Sequence, residues 1–181
     1  FQLGNHVFRD STRGRGYGPV DMHRSIVVSS DVYYYSLAQD MGIDRIHDFM
    51  KPFGFGQITG IDLVGEARGI LPSREWKQRR FKQRWAQGDT ISIGIGQGYN
   101  AFTILQLAHA VATLANDGIV MKPHLVKKII NSKTGEEEIV AKDPVDVIPL
   151  KKENVNFIKR AMQDVTQKGT GRAIFAGAPY T

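Results

Sequence analysis

The sequence predicts an α+β fold, because strongly helical segments alternate with a region of short strand patterns. The clearest helix runs from Thr103 to Gly118, and an amphipathic helix covers Lys151–Thr166. Between them, two antiparallel strands and their turn are predicted in the Ile119–Ala141 segment. Helices combined with antiparallel strands are typical of the α+β class.

The N-terminal third is predicted to be helical after an opening loop. Residues 1–18 are rich in Gly, Arg, Asn and Asp and have no sustained apolar period. A first helix is predicted over Pro19–Val28, and a Tyr-rich helix follows it as far as a stop signal at Gly42. Helical spacing then continues through residues 43–53 to the next glycine.

The middle of the chain carries weaker patterns. Thr59–Val64 alternates loosely and predicts a short strand, whereas Ser73 is a suitable N-cap for a helix over Arg74–Phe81. Gly88–Gly98 has glycines at alternate positions, which predicts a strand closely packed against another backbone. This segment contains neither the P-loop nor the dinucleotide-binding glycine pattern, so a nucleotide site is not expected there.

A short polar corner, Ser29-Ser30-Asp31, joins the first two predicted helices. Ser and Asp are preferred N-cap residues, so Ser29 or Asp31 could simply cap the second helix. Alternatively, a corner between buried helices can hold hydroxyl and carboxyl groups at fixed positions facing a cleft. The corner alone leaves both interpretations open.

Motifs elsewhere in the chain point to one family. Ser29-Ser30-Asp31 matches S-D-N, the second of the three signatures S-x-x-K, S-D-N and K-T-G, with Asp in place of Asn. The other segments that carry the resemblance are Asp40–Arg45, Phe53–Gly56, Thr59–Leu63, Pro72–Lys77, Gln87–Thr90, Gly94–Tyr99, Asn116–Val120 and Ala178–Tyr180. The chain thereby resembles the transpeptidase domain of class B penicillin-binding proteins of the cell-elongation type.

The resemblance implies a penicillin-binding/β-lactamase-like transpeptidase fold, a five-stranded antiparallel sheet flanked by helices, of which residues 1–181 are part of a single domain. It implies a peptidoglycan D,D-transpeptidase that cross-links stem peptides through a serine acyl-enzyme and is a target of β-lactams. No Ser or Thr in the chain has a Lys three residues later. The nucleophile is therefore expected before Phe1 and the K-T-G strand after Thr181, so the piece alone should be inactive.

Within the family pattern, Ser29 and Asp31 are the expected catalytic residues. The hydroxyl of Ser29 would bridge the lysines of the first and third signatures and relay a proton to the departing amine. Asp31 would approach the first-signature lysine and the substrate backbone, either as an anion or protonated by burial among like charges. No cofactor is expected.

Two further motifs are expected to be without function. Some elongation-type relatives hold a zinc ion near the N-terminal loop, and Asp10 matches one ligand, but Tyr17 stands where those relatives have His and the chain has no Cys. No metal site is therefore expected. Lys133-Thr134-Gly135 spells the third signature, yet it lies at a predicted hairpin tip before three glutamates, which would compete for its lysine.

The formal net charge of +6 favours anionic partners. Five of the cations lie within Lys77–Arg84, between Trp76 and Trp85, which could be a nucleic-acid or lipid-headgroup patch or simply a solvated helix face. The resemblance implies that the acidic partner is a peptidoglycan stem peptide or a phospholipid surface and not nucleic acid.

The resemblance also implies a location at the periplasmic face of the bacterial inner membrane, with an anchor upstream of Phe1 and membrane proteins of the elongation machinery as partners. The sequence itself contains no apolar run near the roughly 20 residues that span a bilayer. Two alternatives remain: a non-catalytic wall-binding or partner-binding module on the same fold, and a basic nucleic-acid-binding protein.

Overall fold

The computed structural model describes residues 1–12 and 14–180, which form helices and three small antiparallel sheets. The helices are α1 (Met22–Val28), α2 (Asp31–Met50), α3 (Arg74–Phe81), α4 (Gln87–Gly94), α5 (Ile104–Ala115), α6 (Lys152–Gln167) and α7 (Arg172–Phe175). The strands are β1 (Gln2–Leu3), β2 (His6–Val7), β3 (Ile119–Met121), β4 (Lys128–Ile130), β5 (Glu137–Ile139) and β6 (Pro144–Val147). The predicted α+β class is confirmed.

Each sheet has two antiparallel strands, paired as β1 with β2, β3 with β6 and β4 with β5. The predicted hairpin is confirmed for β4 and β5, in which Lys128 lies opposite Ile139 and Ile130 opposite Glu137. β3 pairs instead with β6, a strand that the sequence did not predict. No sheet of five strands lies within the described residues.

Helix boundaries agree well with the prediction where a side chain caps the helix. Ser73 accepts a hydrogen bond from the Trp76 amide at the start of α3, as predicted. Thr103 and Gln106 form a reciprocal capping box that begins α5. The predicted stop at Gly42 is a kink within α2, where the backbone has φ 73° and ψ 160°.

Two predicted strands are wrong. The segment with alternating glycines contains helix α4, and Gly94 lies so close to Tyr34 and Ala38 of α2 that a side chain would not fit. The prediction that this segment packs closely against another backbone is therefore correct, but the two packed segments are helices and not strands. Residues 59–64 form no strand. The backbone amides of Thr59 and Gly60 donate hydrogen bonds to the carboxylate of Glu66 and not to a neighbouring strand.

The prediction of an opening loop is correct only in part, since β1 and β2 form a short hairpin within it.

The apolar stripe of α5 was expected in the core, yet Ile104, Leu107 and Val111 are exposed. The opposite face is buried and includes Gln106, whose amide group donates to the carbonyl oxygens of Gln57 and Arg68. Buried side-chain amides are normally hydrogen-bonded, and these bonds offset the cost of removing the amide of Gln106 from water.

The described residues divide into two compact units. One comprises residues 48–71 and 101–150, and its core contains Phe53, Phe55, Ala110, Val120 and Ile148. The other comprises residues 1–47, 72–100 and those from 151 on, and its buried apolar side chains include Tyr35, Ala38, Ile43, Ile91 and Ala161. In the described part of the chain, no helix has both the length and the apolar character needed to cross a membrane.

Candidate active-site corner

The predicted corner lies between α1 and α2. Ser29 follows the last residue of α1 and adopts a left-handed conformation, with φ 55° and ψ 56°. A positive φ is uncommon for a residue other than glycine and is found often at functional sites. The Ser29 amide donates to the Ile26 carbonyl oxygen, and α2 begins two residues later at Asp31.

The hydrogen bonds that cap α2 come from Ser30 and Asp10. The Tyr33 amide donates to Ser30 Oγ at 3.4 Å, and the Val32 amide donates to Asp10 Oδ1 at 3.0 Å. Ser30 Oγ also donates to Asp10 Oδ1, at 3.1 Å. The alternative in which Ser29 or Asp31 is the cap is therefore wrong: the buried middle residue and a carboxylate from the N-terminal segment cap the helix.

Ser29 contacts a residue in the C-terminal part of the chain. Its exposed hydroxyl lies 3.2 Å from Thr170 Oγ1, and either oxygen can be the donor. The Thr170 amide donates to the Val27 carbonyl oxygen at 3.3 Å. Gly169 fits closely over the same carbonyl, because a Cβ at this position would overlap it. The turn between α6 and α7 thus packs against the end of α1.

Asp31 lies half-buried in the first turn of α2. Burial raises the pKa of its carboxyl group, and the nearby negative charge of Asp10 raises it further. The carboxyl group makes no hydrogen bond to any other residue described here, so its oxygens are open to a ligand or a further group.

Two small cavities border Asp10. One, of about 280 Å³, follows α2 and is lined in part by Ser30, Tyr33 and Asp40. The other, of about 240 Å³, lies between α2 and the N-terminal segment. Neither Ser29 nor Asp31 is among the lining residues of these two cavities, although both lie beside Ser30 in the chain.

The carboxylate of Asp10, which matches one zinc ligand of some elongation-type relatives, takes part in hydrogen bonds. Asp10 Oδ1 already accepts hydrogen bonds from Ser30 and Val32. The structure contains no group of three His, Asp or Glu residues that could hold a metal ion, as far as residues 1–12 and 14–180 are concerned. Asp10 therefore has a hydrogen-bonding role here.

Lys133-Thr134-Gly135 lies at the exposed tip of the β4–β5 hairpin, as predicted. The side chain of Asn131 accepts hydrogen bonds from the Lys133 and Thr134 amides, and Thr134 Oγ1 donates to Glu136. These contacts are those of a local turn.

Sequence reasoning did not identify the positioning roles of Asp10, Ser30 and Thr170. Asp10 and Ser30 are 20 residues apart, and Ser29 and Thr170 are 141 apart, so no local pattern links them. The only signal for Thr170 is its place between two glycines, which indicates a tight turn.

Comparisons with known proteins identify the family of the chain. The family model described as "Penicillin binding protein transpeptidase domain" matches residues 2–181. The peptidoglycan D,D-transpeptidase MrdA of Haemophilus influenzae is 45% identical over 178 residues, which are 96% of this chain and 27% of that protein. The chain spans about a quarter of the length of the curated relatives it matches.

Solved structures give the same result. The crystal structure of Pseudomonas aeruginosa PBP2 in complex with WCK 5153 matches with a TM-score of 0.85 and 41% identity, over 99% of this chain and 41% of that one. The complex between PBP2 and MreC from Helicobacter pylori matches with a TM-score of 0.80 and 30% identity, over 99% of this chain and 32% of that one.

Proposed function

Because the chain belongs to the penicillin-binding protein transpeptidase family, we propose that the protein containing it is a peptidoglycan D,D-transpeptidase. The curated relatives carry that name. In the proposed reaction a serine oxygen attacks the penultimate D-Ala carbonyl of a stem peptide, the terminal D-Ala leaves as the amine, and an acceptor amine then takes the acyl group. The serine, its lysine and the K-T-G strand are proposed to lie in parts of the protein outside these residues.

Ser29 is proposed to transfer the proton that the leaving amine requires. Its hydroxyl is exposed and can both donate and accept a hydrogen bond, as a relay must. The contact with Thr170 Oγ1 leaves the hydroxyl a second hydrogen-bonding direction. The left-handed backbone at Ser29 sets the direction of the side chain before substrate binds.

Asp31 is proposed to accept hydrogen bonds, from the lysine that serves the nucleophile and from the substrate backbone. Its raised pKa means that the carboxylate is less stable here than in water and gains more from an added cation. A lysine ammonium would lower this pKa again and hold the group ionised.

The observation that carries the proposal is that the residues that cap α2 are not the residues proposed to act in the reaction. Ser30 and Asp10 satisfy the first amides of α2, so the side chains of Ser29 and Asp31 are not needed for capping. A corner that served only to join two helices would need no further polar groups. This also favours an enzyme over a non-catalytic module on the same fold.

The test is labelling of the intact protein with a fluorescent penicillin, together with cross-linking of stem peptides. Ser29→Ala should abolish cross-linking and slow acylation by at least about a hundredfold, within the range expected for loss of general acid–base catalysis. Ser36→Ala is the matched control, because this exposed hydroxyl on α2 donates only to the Val32 carbonyl oxygen.

Full cross-linking and acylation rates in Ser29→Ala would remove Ser29 from the mechanism. An intact wild-type protein that takes up no penicillin would instead favour the wall-binding or partner-binding module. Binding of nucleic acid with a steep dependence on salt would support the third alternative.

A location at the periplasmic face of the inner membrane, through an anchor elsewhere in the protein, is part of the same proposal. The proposed ligands are peptidoglycan stem peptides and β-lactams, and the proposed partners are elongation-machinery membrane proteins. The relative from Helicobacter pylori, whose structure was solved with MreC, supports a partner of that kind.

A further inference from the structure

An open cavity of about 620 Å³ lies on α3 and on the loop that follows it, and none of its lining residues belongs to α1 or α2. Its volume is within the range of pockets that hold small ligands. Three guanidinium groups, one carboxylate, one amide and one indole surround it: Arg74, Arg79, Arg84, Glu75, Gln78 and Trp85. The lining therefore carries an excess of positive charge.

Part of this lining is held in place by hydrogen bonds. Arg74 Nε donates to both carboxylate oxygens of Asp44, at 2.9 Å each. The indole N–H of Trp85 donates to Thr90 Oγ1 at 2.8 Å, which orients the half-buried ring. A site whose side chains are already oriented loses less entropy when it binds a ligand.

The loop that carries Arg84 and Trp85 is fixed by a buried ion pair beneath it. Lys77 is 4% exposed and donates to Asp89 Oδ2, and the same oxygen accepts a hydrogen bond from the Ala86 amide at 2.7 Å. These contacts connect α3 to the start of α4. Lys77 is thereby excluded from the exposed basic surface, which corrects the interpretation of the whole Lys77–Arg84 run as solvated.

The two remaining arginines are available to a ligand. Arg79 and Arg84 are exposed, and no hydrogen bond from either guanidinium group occurs within the part of the chain that the structure describes. The charge of Arg79 acts on the carboxylate of Glu75, four residues earlier on α3. The carboxylate of Glu75 accepts a hydrogen bond from Ser73 Oγ at 2.9 Å, at the start of α3. The cavity therefore presents the guanidinium groups of Arg79 and Arg84 beside an aromatic ring, and Arg79 also interacts electrostatically with Glu75.

We infer that this cavity binds the free carboxylates of a peptidoglycan stem peptide, at a second site distinct from the reactive corner; the inference rests on the proposed function. The planar guanidinium group pairs with a carboxylate through two parallel hydrogen bonds. Glu75 and Gln78 can bind the amide groups of the same peptide. The exposed face of Trp85 offers an apolar surface for its side chains.

The same lining is less suited to a lipid surface. Insertion at a lipid surface requires apolar side chains that project beyond the charges, whereas the Trp85 ring is half-buried and its N–H is engaged.

The test uses the intact protein with its active site blocked by benzylpenicillin, and a soluble disaccharide-tetrapeptide fragment of peptidoglycan as the probe. Binding is measured by calorimetry in Arg79→Ala/Arg84→Ala and in Lys127→Ala/Lys142→Ala, which removes the same charge from two other exposed positions. The arginine variant should bind at least about tenfold more weakly, as expected for loss of charge-assisted hydrogen bonds. The lysine control should bind like the wild type.

A probe whose carboxylates are converted to amides should also lose binding to the wild type. Equal binding by both double variants, or an equal loss in both, would overturn the inference. Loss in the arginine variant of binding to phosphatidylglycerol vesicles or to nucleic acid, with fragment binding unchanged, would also overturn it and assign the cavity to that partner.

Penicillin labelling separates this inference from the proposed function. The arginine variant should acylate at the wild-type rate, because the cavity does not touch the corner residues. If the wild type is labelled by penicillin but its binding of the fragment does not depend on Arg79 and Arg84, only the second site is refuted. A wild type that does not label, combined with arginine-dependent fragment binding to the unblocked protein, refutes only the proposed function.

Discussion

Replacing Asp10 should weaken the corner more than any other single change in the N-terminal segment. Asp10→Ala removes the acceptor of the Val32 amide and of Ser30 Oγ. Loss of a helix cap costs about 1 kcal/mol. Ser30 is 2% exposed, and a buried hydroxyl left without an acceptor costs about 1–3 kcal/mol more. The free energy of unfolding should therefore fall by roughly 2–4 kcal/mol.

The same change should slow the reaction with penicillin. Ser29 and Asp31 flank Ser30 in the chain, so a loosened Ser30 allows both proposed catalytic side chains to shift. A displacement of about 1 Å in an active site can cost about a hundredfold in rate, and we expect a loss of tenfold to a hundredfold. The assays are the melting temperature and the second-order acylation rate constant of the intact protein.

Two variants make this prediction specific. Asp10→Asn keeps one acceptor oxygen and should lose less than half as much stability as Asp10→Ala. Asp40→Ala removes a carboxylate from the same cavity, where Asp40 is exposed and does not cap α2. The reasoning is refuted if Asp10→Ala melts and acylates like Asp40→Ala.

Three further changes test other parts of the structure. In residues 1–181 without the lysine proposed to lie outside them, the pKa of Asp31 is raised, so its ionisation opposes folding as pH rises above about 4. In this chain Asp31→Asn should therefore gain melting temperature relative to the wild type as pH rises from that value, and a difference independent of pH would contradict this. Gly169→Ala places a Cβ against the last turn of α1 and should lower the free energy of unfolding, measured by chemical denaturation, by about 1–3 kcal/mol. Gly88→Ala places its Cβ in open space and should change this free energy little, so equal effects of the two changes would be inconsistent with the packing. Lys77→Met leaves the carboxylate of Asp89 without its buried partner and should lower the free energy of unfolding by about 3–5 kcal/mol. A second change, Asp89→Leu, should restore a large part of this stability, and a double variant as unstable as the single one would argue against the ion pair.

Local signals in the sequence predicted the elements whose ends are capped by their own residues. Ser73 and Thr103 begin α3 and α5 as expected, because a cap acts on amides only two or three residues away. The corner itself was placed correctly between two helices for the same reason. The match of Ser29-Ser30-Asp31 to a known signature then indicated the family before any contact was known.

Patterns failed where a distant contact determined the local structure. The glycines of Gly88–Gly98 suggested a strand, but Gly94 serves the close approach of α4 to α2. The apolar stripe of α5 suggested a core face, but Gln106 is buried because it binds three backbone groups of a remote loop and of its own cap. Neither contact leaves a trace in a short window of sequence.

The sequence by itself therefore determined the family, the helical corner and the identity of Ser29 and Asp31 as candidates. Only the tertiary structure decided that Ser30 and Asp10 cap α2 and that Thr170 contacts Ser29. It also decided that Lys77 is buried while the other cations of the basic run are exposed. The physical reason is range: capping and periodicity act over a few residues, whereas these contacts join groups up to 141 positions apart that meet only when the chain is folded.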